Sequence, residues 1–310
     1  MTETTKKSIS LVLGSGGARG LAHIGVIHWL EEQGFEIASI SGCSMGALIG
    51  GIYAAGKLDI FEQWVRDINK VDIFTLLDLS WQKNGLVKGD KIIETLKDLV
   101  GDIAIEDLPV KYTAVAADVI NEKEIWLSSG SLFDAIRASI SLPLFFTPFH
   151  YRGLDLIDGG VLNPVPIAPT FGDHTDCSIA VNLGGNVKAV DTAVLQEASD
   201  EEDLKSQSKI GRFLARFKTK AVEHTQNEWG AYDIANQAFD AMQSTIARQK
   251  LAAYPADYFV EIARNACGTL EFHRADEMIT LGYEAAKASL SPIIADKNKE
   301  TAAEVIEKQC

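Results

Sequence analysis

The sequence has few of the residues that hold small or metal-dependent folds together. Its four cysteines, Cys43, Cys177, Cys267 and Cys310, include no CxxC spacing, and no clustered His, Cys and Asp ligands stand elsewhere in the chain. This pattern predicts neither a zinc site nor a disulfide framework, and it favours a reducing cytoplasm. A chain of 310 residues can bury enough apolar surface to fold without such links. We therefore expect no metal and no cofactor.

Basic residues are also in short supply. The chain has 29 Lys and Arg against 43 Asp and Glu, which gives a net charge of −14 at pH 7. Such a charge repels the phosphates of nucleic acids and anionic membrane surfaces alike. We therefore expect no nucleic-acid partner.

Neither a signal peptide nor a membrane span is predicted. The apolar run at 9–13 is cut short by the glycines of 14–17 and by Arg19. The stretch 37–56 has no charged residue, but its five glycines and three serines dilute its hydrophobicity and its β-branched start is typical of a strand. We expect a cytoplasmic protein that contacts membranes at most peripherally.

The order of apolar segments predicts a three-layer α/β/α fold around a mostly parallel sheet. The first 60 residues alternate as strand, glycine-rich turn, helix, strand, tight turn and helix, the pattern of crossover connections. No proline-rich linker or internal repeat follows. Further elements are predicted as strands at 111–117, 124–128, 149–157, 178–183 and 258–262, and as helices at 132–139 and about 275–290.

We expect one domain over residues 1–310. It would consist of a core at about 8–185, a lid or insert at about 186–250, and a C-terminal strand and helices at about 251–310. Within the insert, apolar residues of 209–220 share one helical side and basic residues an adjacent side. This segment is interpreted either as a lid that touches a lipid surface or as a helix packed on the core.

A G-x-S-x-G pentapeptide at 42–46 places Ser44 between a predicted strand and a predicted helix. This context is typical of a nucleophile elbow, where glycines two residues before and after the serine prevent collisions between strand and helix. The helix start also supplies backbone amides for an oxyanion. Cys43 is a rival nucleophile, but the central residue of the elbow is the one presented outward, so Cys43 is interpreted as a buried filler.

A second glycine-rich cluster, at 14–20, follows the first predicted strand. It does not fit a dinucleotide fingerprint, because Arg19 stands where the third glycine would fall, and no Lys-Ser/Thr pair supports a phosphate loop. Glycines at a helix start do present amides to a developing negative oxygen. We expect Gly16, Gly17 and Ala18 to form the oxyanion hole, with Gly16 and Gly17 as its main donors. Arg19 either supports this loop by its charge or is a solvated residue.

A hydrolytic serine needs a base, and the sequence offers one sharply placed carboxylate. Asp158 ends an apolar strand and precedes two glycines, which allow close approach, whereas Asp155 lies within the strand. His23 and His28 fall inside the first helix. A Ser-His-Asp triad remains open through the other histidines, His150, His174, His224 and His273.

Taken together and in this order, the three motifs resemble the patatin-like phospholipases, in particular their short bacterial members. That family joins a glycine-rich loop ending in Lys/Arg-Gly, a G-x-S-x-G serine and an Asp-Gly-Gly/Ala aspartate. The stretches 135–148 and 163–165 are also similar to the family, and the similarity runs over about 9–182. Ser15 departs from it, because the fuller pattern has a third consecutive glycine there.

The resemblance implies a patatin-like, lysophospholipase-type fold and a Ser44–Asp158 dyad that needs no histidine. It implies that the amides of Gly16 and Gly17 hold the oxyanion. The expected reaction is Ca²⁺-independent hydrolysis of carboxylic esters in phospholipids or lysophospholipids through an acyl-serine. An aspartate of ordinary pKa near 3.9 is poorly matched to neutral pH, so burial should raise the pKa of Asp158.

Two other functions remain open. An acyltransferase or thioesterase would use the same elbow on a related fold, although acyl-carrier transacylases typically have histidine where this chain has Cys43. A catalytically silent regulatory protein would keep the pocket and lose turnover. The presence of both Ser44 and Asp158 argues against that reading.

Overall fold

The computed structural model describes residues 6–69, 71–72, 87–187 and 230–307. The chain divides into two compact units, residues 1–187 with 239–310, and residues 188–238. In the second unit, the described residues 230–238 include the beginning of a long helix. The segment 209–220, interpreted either as a lid or as a helix packed on the core, lies outside the described residues, so both interpretations stay predictions.

The described residues form an eight-stranded mixed sheet with the order β5-β6-β3-β2-β1-β7-β8, and β4 also pairs with β3. Strands β3, β2, β1, β7 and β8 run parallel to their neighbours in this series, whereas β4, β5 and β6 pair antiparallel. The strands are β1 (Lys7–Leu13), β2 (Phe35–Cys43), β3 (Lys111–Asp118), β4 (Lys123–Leu127), β5 (Phe149–Tyr151), β6 (Leu154–Asp158), β7 (Cys177–Gly185) and β8 (Tyr258–Ala263).

Helices cover both faces of this sheet. In the described part of the chain they are α1 (Ala22–Glu32), α2 (Met45–Ala54), α3 (Leu58–Asp67), α4 (Asp90–Val100), α5 (Leu132–Ser139), α6 (Ala231–Ala253) and α7 (Ala275–Glu307). None of them is long and apolar enough to cross a bilayer.

Strand β1 shows how the two layers of helices arise. Ile9 and Leu11 belong to the main core, which also contains buried residues of α1, α2 and α7. Val12 belongs to a separate cluster with Ala247 of α6. Because successive side chains of a strand point to opposite faces, the two clusters lie on opposite sides of the sheet. This arrangement confirms the predicted three-layer α/β/α fold.

The strand predicted over 149–157 is a hairpin, and that prediction of one continuous strand was wrong. Arg152 and Gly153 form the turn between β5 and β6 with φ of 52° and 82°. Two consecutive positive φ values are typical of tight hairpin turns. Asp155 is therefore exposed on the hairpin, where it lies 2.9 Å from Nδ1 of His150.

One edge of β3 brings the predicted nucleophile and base together. Strand β2 runs parallel to β3 and ends with Cys43 opposite Val115, whereas β6 runs antiparallel and ends with Asp158 opposite Ala116. The other edge of β3 is occupied by β4. The C-terminal ends of β2 and β6 therefore meet on the same edge, and Ser44, which follows β2, lies beside the end of β6.

Candidate active site

The serine of the elbow sits in a strained turn between β2 and α2. Its φ of 55° and ψ of −124° are sparsely populated by any residue other than glycine. A Cβ atom at Gly42 would overlap the Gly46 carbonyl, and one at Gly46 would overlap the Leu13 carbonyl of β1. The two glycines therefore allow β2, the turn and α2 to pack this closely.

A buried serine that the sequence analysis did not assign holds the elbow in place. The Ser44 amide donates to Oγ of Ser139 at 2.9 Å, and the Ser139 hydroxyl donates to the Val115 carbonyl at 2.6 Å. Ser139 ends α5 and is fully buried. It therefore ties the strained backbone of Ser44 to β3, and it occupies the Ser44 amide.

The hydroxyl of Ser44 is paired with a buried carboxylate. Oγ of Ser44 donates to Oδ2 of Asp158 at 2.5 Å, and Asp158 is fully buried. The other oxygen, Oδ1, accepts from the Gly160 amide at 2.7 Å and lies 3.8 Å from Sγ of Cys43. Burial raises the pKa of Asp158 to about 6, although hydrogen bonds from Ser44, Gly160 and Cys43 oppose the shift. The carboxylate is thus ionised at neutral pH and within reach of the hydroxyl proton.

The buried thiol of Cys43 is poorly suited to be a nucleophile. Burial and the neighbouring carboxylate raise the pKa of Cys43 well above its ordinary value. The reactive form of cysteine is the thiolate, which this environment disfavours.

No histidine among the described residues is hydrogen-bonded to the Ser44 hydroxyl. This hydroxyl makes its hydrogen bond to a carboxylate. His150 pairs with a carboxylate on its own hairpin. His174 and His273 are exposed, and His224 lies outside the described residues.

The amides of the glycine-rich loop beside this site differ in their hydrogen bonding. Gly14 donates its amide to β7 at 3.0 Å, and Ser15 and Ala18 donate theirs to carbonyls of other loops at 2.8 and 2.9 Å. In the described part of the chain the amides of Gly16 and Gly17 make no hydrogen bond. Gly17 lines the same pocket as Ser44. Of the three expected donors, the first two are therefore available, whereas the Ala18 amide is occupied.

Arg19 is buried behind the loop, with 7% of its surface exposed. Its guanidinium donates to the Arg264 carbonyl and lies 3.9 Å from Oδ1 of Asp240 in α6. This position fits a residue that supports the loop, and it does not fit a solvated residue.

An apolar pocket opens at Ser44. Its walls come from α2, α3, α4, the segment 140–146 and the segment 269–272, and they consist mainly of aliphatic and aromatic side chains. Residues lining it include Leu48, Trp64, Leu96, Phe146 and Phe272. Such a surface suits a hydrocarbon chain, since it offers few polar partners. In the part of the chain that is described, no cluster of three or more His, Cys, Asp or Glu side chains forms a metal-binding group.

Comparisons with known proteins agree with these features. A family model described as patatin-like phospholipase matches residues 11–171, which include the glycine-rich loop, Ser44 and Asp158. An uncharacterized NTE family protein of Mycobacterium bovis is 37% identical over 96% of this chain and 95% of its own length.

Two longer relatives have names that state an activity. Lysophospholipase NTE1 of Saccharomyces cerevisiae is 26% identical over 94% of this chain, which corresponds to 17% of the yeast protein. Neuropathy target esterase sws of Drosophila melanogaster is 33% identical over 58% of this chain and 13% of its own length.

Proposed function

The chain belongs to the patatin-like phospholipase family, and from this membership and the geometry of its site we propose that it is a serine lipid acyl hydrolase with a Ser44–Asp158 dyad. The observation that carries the proposal is the 2.5 Å hydrogen bond from Oγ of Ser44 to the buried carboxylate. Relatives named as a lysophospholipase and an esterase support carboxylic esters of phospholipids or lysophospholipids as substrates.

The proposed reaction has two halves. Asp158 takes the proton of Ser44 as Oγ attacks the ester carbonyl, and the amides of Gly16 and Gly17 donate to the oxyanion. Asp158 then gives the proton to the leaving alcohol, which leaves an acyl-serine. Asp158 next takes a proton from water, whose oxygen attacks the acyl group. Collapse of this second intermediate releases the fatty acid and returns the proton to Ser44.

The apolar pocket supports an acyl chain as the part of the substrate that is bound. Each methylene group buried there contributes about 0.8 kcal/mol of transfer free energy. A long chain would therefore supply binding energy that holds the ester carbonyl at the nucleophile.

The C-terminal elements belong to the same catalytic domain in this proposal. Strand β8 pairs in parallel with β7, so the chain after residue 250 extends the central sheet. Leu270 and Phe272, which follow β8, line the pocket together with Ser44. These contacts support one acyl hydrolase domain in which the C-terminal part completes the substrate pocket.

Labelling with a fluorophosphonate tests the proposed function, because such a reagent reacts with an activated serine. We expect the wild-type protein to be labelled and Ser44→Ala to remain unlabelled. Cys43→Ala is the matched control for the rival nucleophile and should still be labelled. EDTA should leave labelling and ester hydrolysis unchanged, because the proposed charge stabilisation comes from backbone amides. An unlabelled but folded wild-type protein would support the silent regulatory alternative.

The acid limb of the pH profile should report the aspartate base. The base is active when ionised, and burial raises the pKa of Asp158 to about 6. We therefore expect kcat/KM for a non-ionising ester to fall about tenfold per pH unit below this value. The measurement is kcat/KM from pH 4.5 to 8, with circular dichroism at each pH as the control for folding. Constant activity down to pH 4.5 would indicate a base with an ordinary carboxyl pKa.

A further inference from the structure

His23 lies in the first turn of α1 and is fully buried. Its Nε2 atom is 2.9 Å from the carbonyl oxygen of Gly14. A carbonyl oxygen accepts hydrogen bonds and cannot donate them, so Nε2 must carry the ring proton. The other ring nitrogen, Nδ1, has no hydrogen-bond partner among the described residues. The ring is therefore the neutral Nε2–H tautomer.

The peptide group that His23 contacts is held at both of its polar atoms. The Gly14 carbonyl accepts from Nε2, and the amide of Ser15, in the same peptide group, donates to the Pro164 carbonyl at 2.8 Å. A peptide group is planar, so these two hydrogen bonds together fix its orientation. Gly16 follows directly in the chain.

A second anchor lies on the other side of the Gly16 and Gly17 amides. The Ala18 amide donates to the carbonyl of Thr269 at 2.9 Å. Between the two anchors stand Gly16 and Gly17, residues with the widest backbone freedom of any type. The direction in which their amides point therefore depends on the fixed groups at either end of the short segment.

We propose that His23 is a positioning residue for the oxyanion loop: its neutral ring fixes the Gly14–Ser15 peptide and thereby aims the amides of Gly16 and Gly17. This inference rests on the proposed role of those two amides. His23 does not act as the base, because the Ser44 hydroxyl is bound to Asp158. Burial lowers the pKa of His23 to about 4, so the ring keeps its neutral form at neutral pH.

Two substitutions separate the hydrogen bond from simple packing. His23→Gln keeps an N–H group that can reach the Gly14 carbonyl, whereas His23→Leu keeps apolar volume without a donor. We expect His23→Leu to lower kcat by about 10- to 100-fold with little change in KM, a part of the roughly 10² to 10³ that one oxyanion donor contributes. His23→Gln should recover most of the loss. His28→Gln is the matched control on the same helix, where His28 is half-buried and lies 3.0 Å from Glu62.

A measurement on the wild-type protein does not depend on either variant folding. Nitrogen-15 NMR of the histidine rings should show His23 as the Nε2–H tautomer at neutral pH. The Nδ1–H tautomer would overturn the proposal, as would full kcat in a folded His23→Leu. Equal losses in the Gln and Leu variants would assign His23 to packing and overturn it too. Failure of the proposed function is distinguishable from failure of this inference about His23, because the wild-type protein would then hydrolyse no ester.

Discussion

Ser44→Ala and Asp158→Asn should each lower kcat by about 10³-fold or more, and the double variant should be little worse than either. Nucleophile and base act as one unit, so once one is lost the other has little left to contribute. The 2.5 Å contact between their side chains is the structural basis of this expectation. The measurement is kcat for hydrolysis of a lysophospholipid or a soluble acyl ester by the four proteins.

Asp155→Asn is the matched control, because Asp155 stands on the same strand, β6, but is exposed. It should retain the wild-type kcat.

Asp158→Asn should not lower the melting temperature of the protein at pH 7. Burial raises the folded-state pKa of Asp158 above its unfolded value, so keeping this carboxylate ionised costs folding free energy at pH 7. Near-native activity of Asp158→Asn, together with an inactive variant of His150, His174, His224 or His273, would instead establish a histidine triad.

Removing the amide hydrogen of Gly16 or Gly17 should lower kcat by about 10²- to 10³-fold, the usual effect of losing one oxyanion donor. Proline would remove the same hydrogen but also distort the loop, because φ is 175° at Gly16 and 56° at Gly17. Replacement of either glycine by glycolic acid through semisynthesis is cleaner, since it exchanges the N–H for an ester oxygen and adds no side chain. KM should change little, because the oxyanion forms in the transition state.

Lactic acid at position 18 is the control for this experiment. The Ala18 amide already donates to Thr269, so its loss should reduce kcat far less than the changes at Gly16 and Gly17. A reduction of kcat as large as that of the Gly16 and Gly17 variants would show that the Ala18 amide is also part of the oxyanion hole. Unchanged kcat in both glycolic acid variants would exclude this loop as the source of oxyanion stabilisation.

Local signals in the sequence pointed to Ser44 and Asp158 as residues of the candidate site. The glycine spacings around Ser44 have a steric cause that sequence alone reveals, and the two glycines after Asp158 mark a strand end. Ser139 carries no such signal, because its role depends on contacts with Ser44 and Val115, 95 and 24 residues away. The part of the pocket wall formed by 269–272 could not be predicted from the sequence either, because only the tertiary fold brings this segment to the elbow.

The hairpin at β5–β6 and the helices α3 and α4 do have signals in the sequence. Gly153, in the middle of the predicted strand at 149–157, is a common marker of a turn. The apolar residues Leu58, Phe61 and Val65 recur at helical spacing and are the buried residues of α3. Helix α4 repeats this pattern. Both helices line the apolar pocket beside Ser44, so a sequence analysis without them could not predict this pocket.

The meeting of β2 and β6 on one edge of β3 has a consequence for how such an enzyme would lose activity. Where a catalytic base lies on a surface loop, local opening can inactivate the enzyme while its core stays folded. Here the carboxylate ends a strand of the central sheet, and a slip of one residue in β6 would turn its side chain to the other face. Local inactivation by denaturant would therefore require β6 to separate from β3 within the sheet, so we expect catalytic activity and the folded sheet to be lost together.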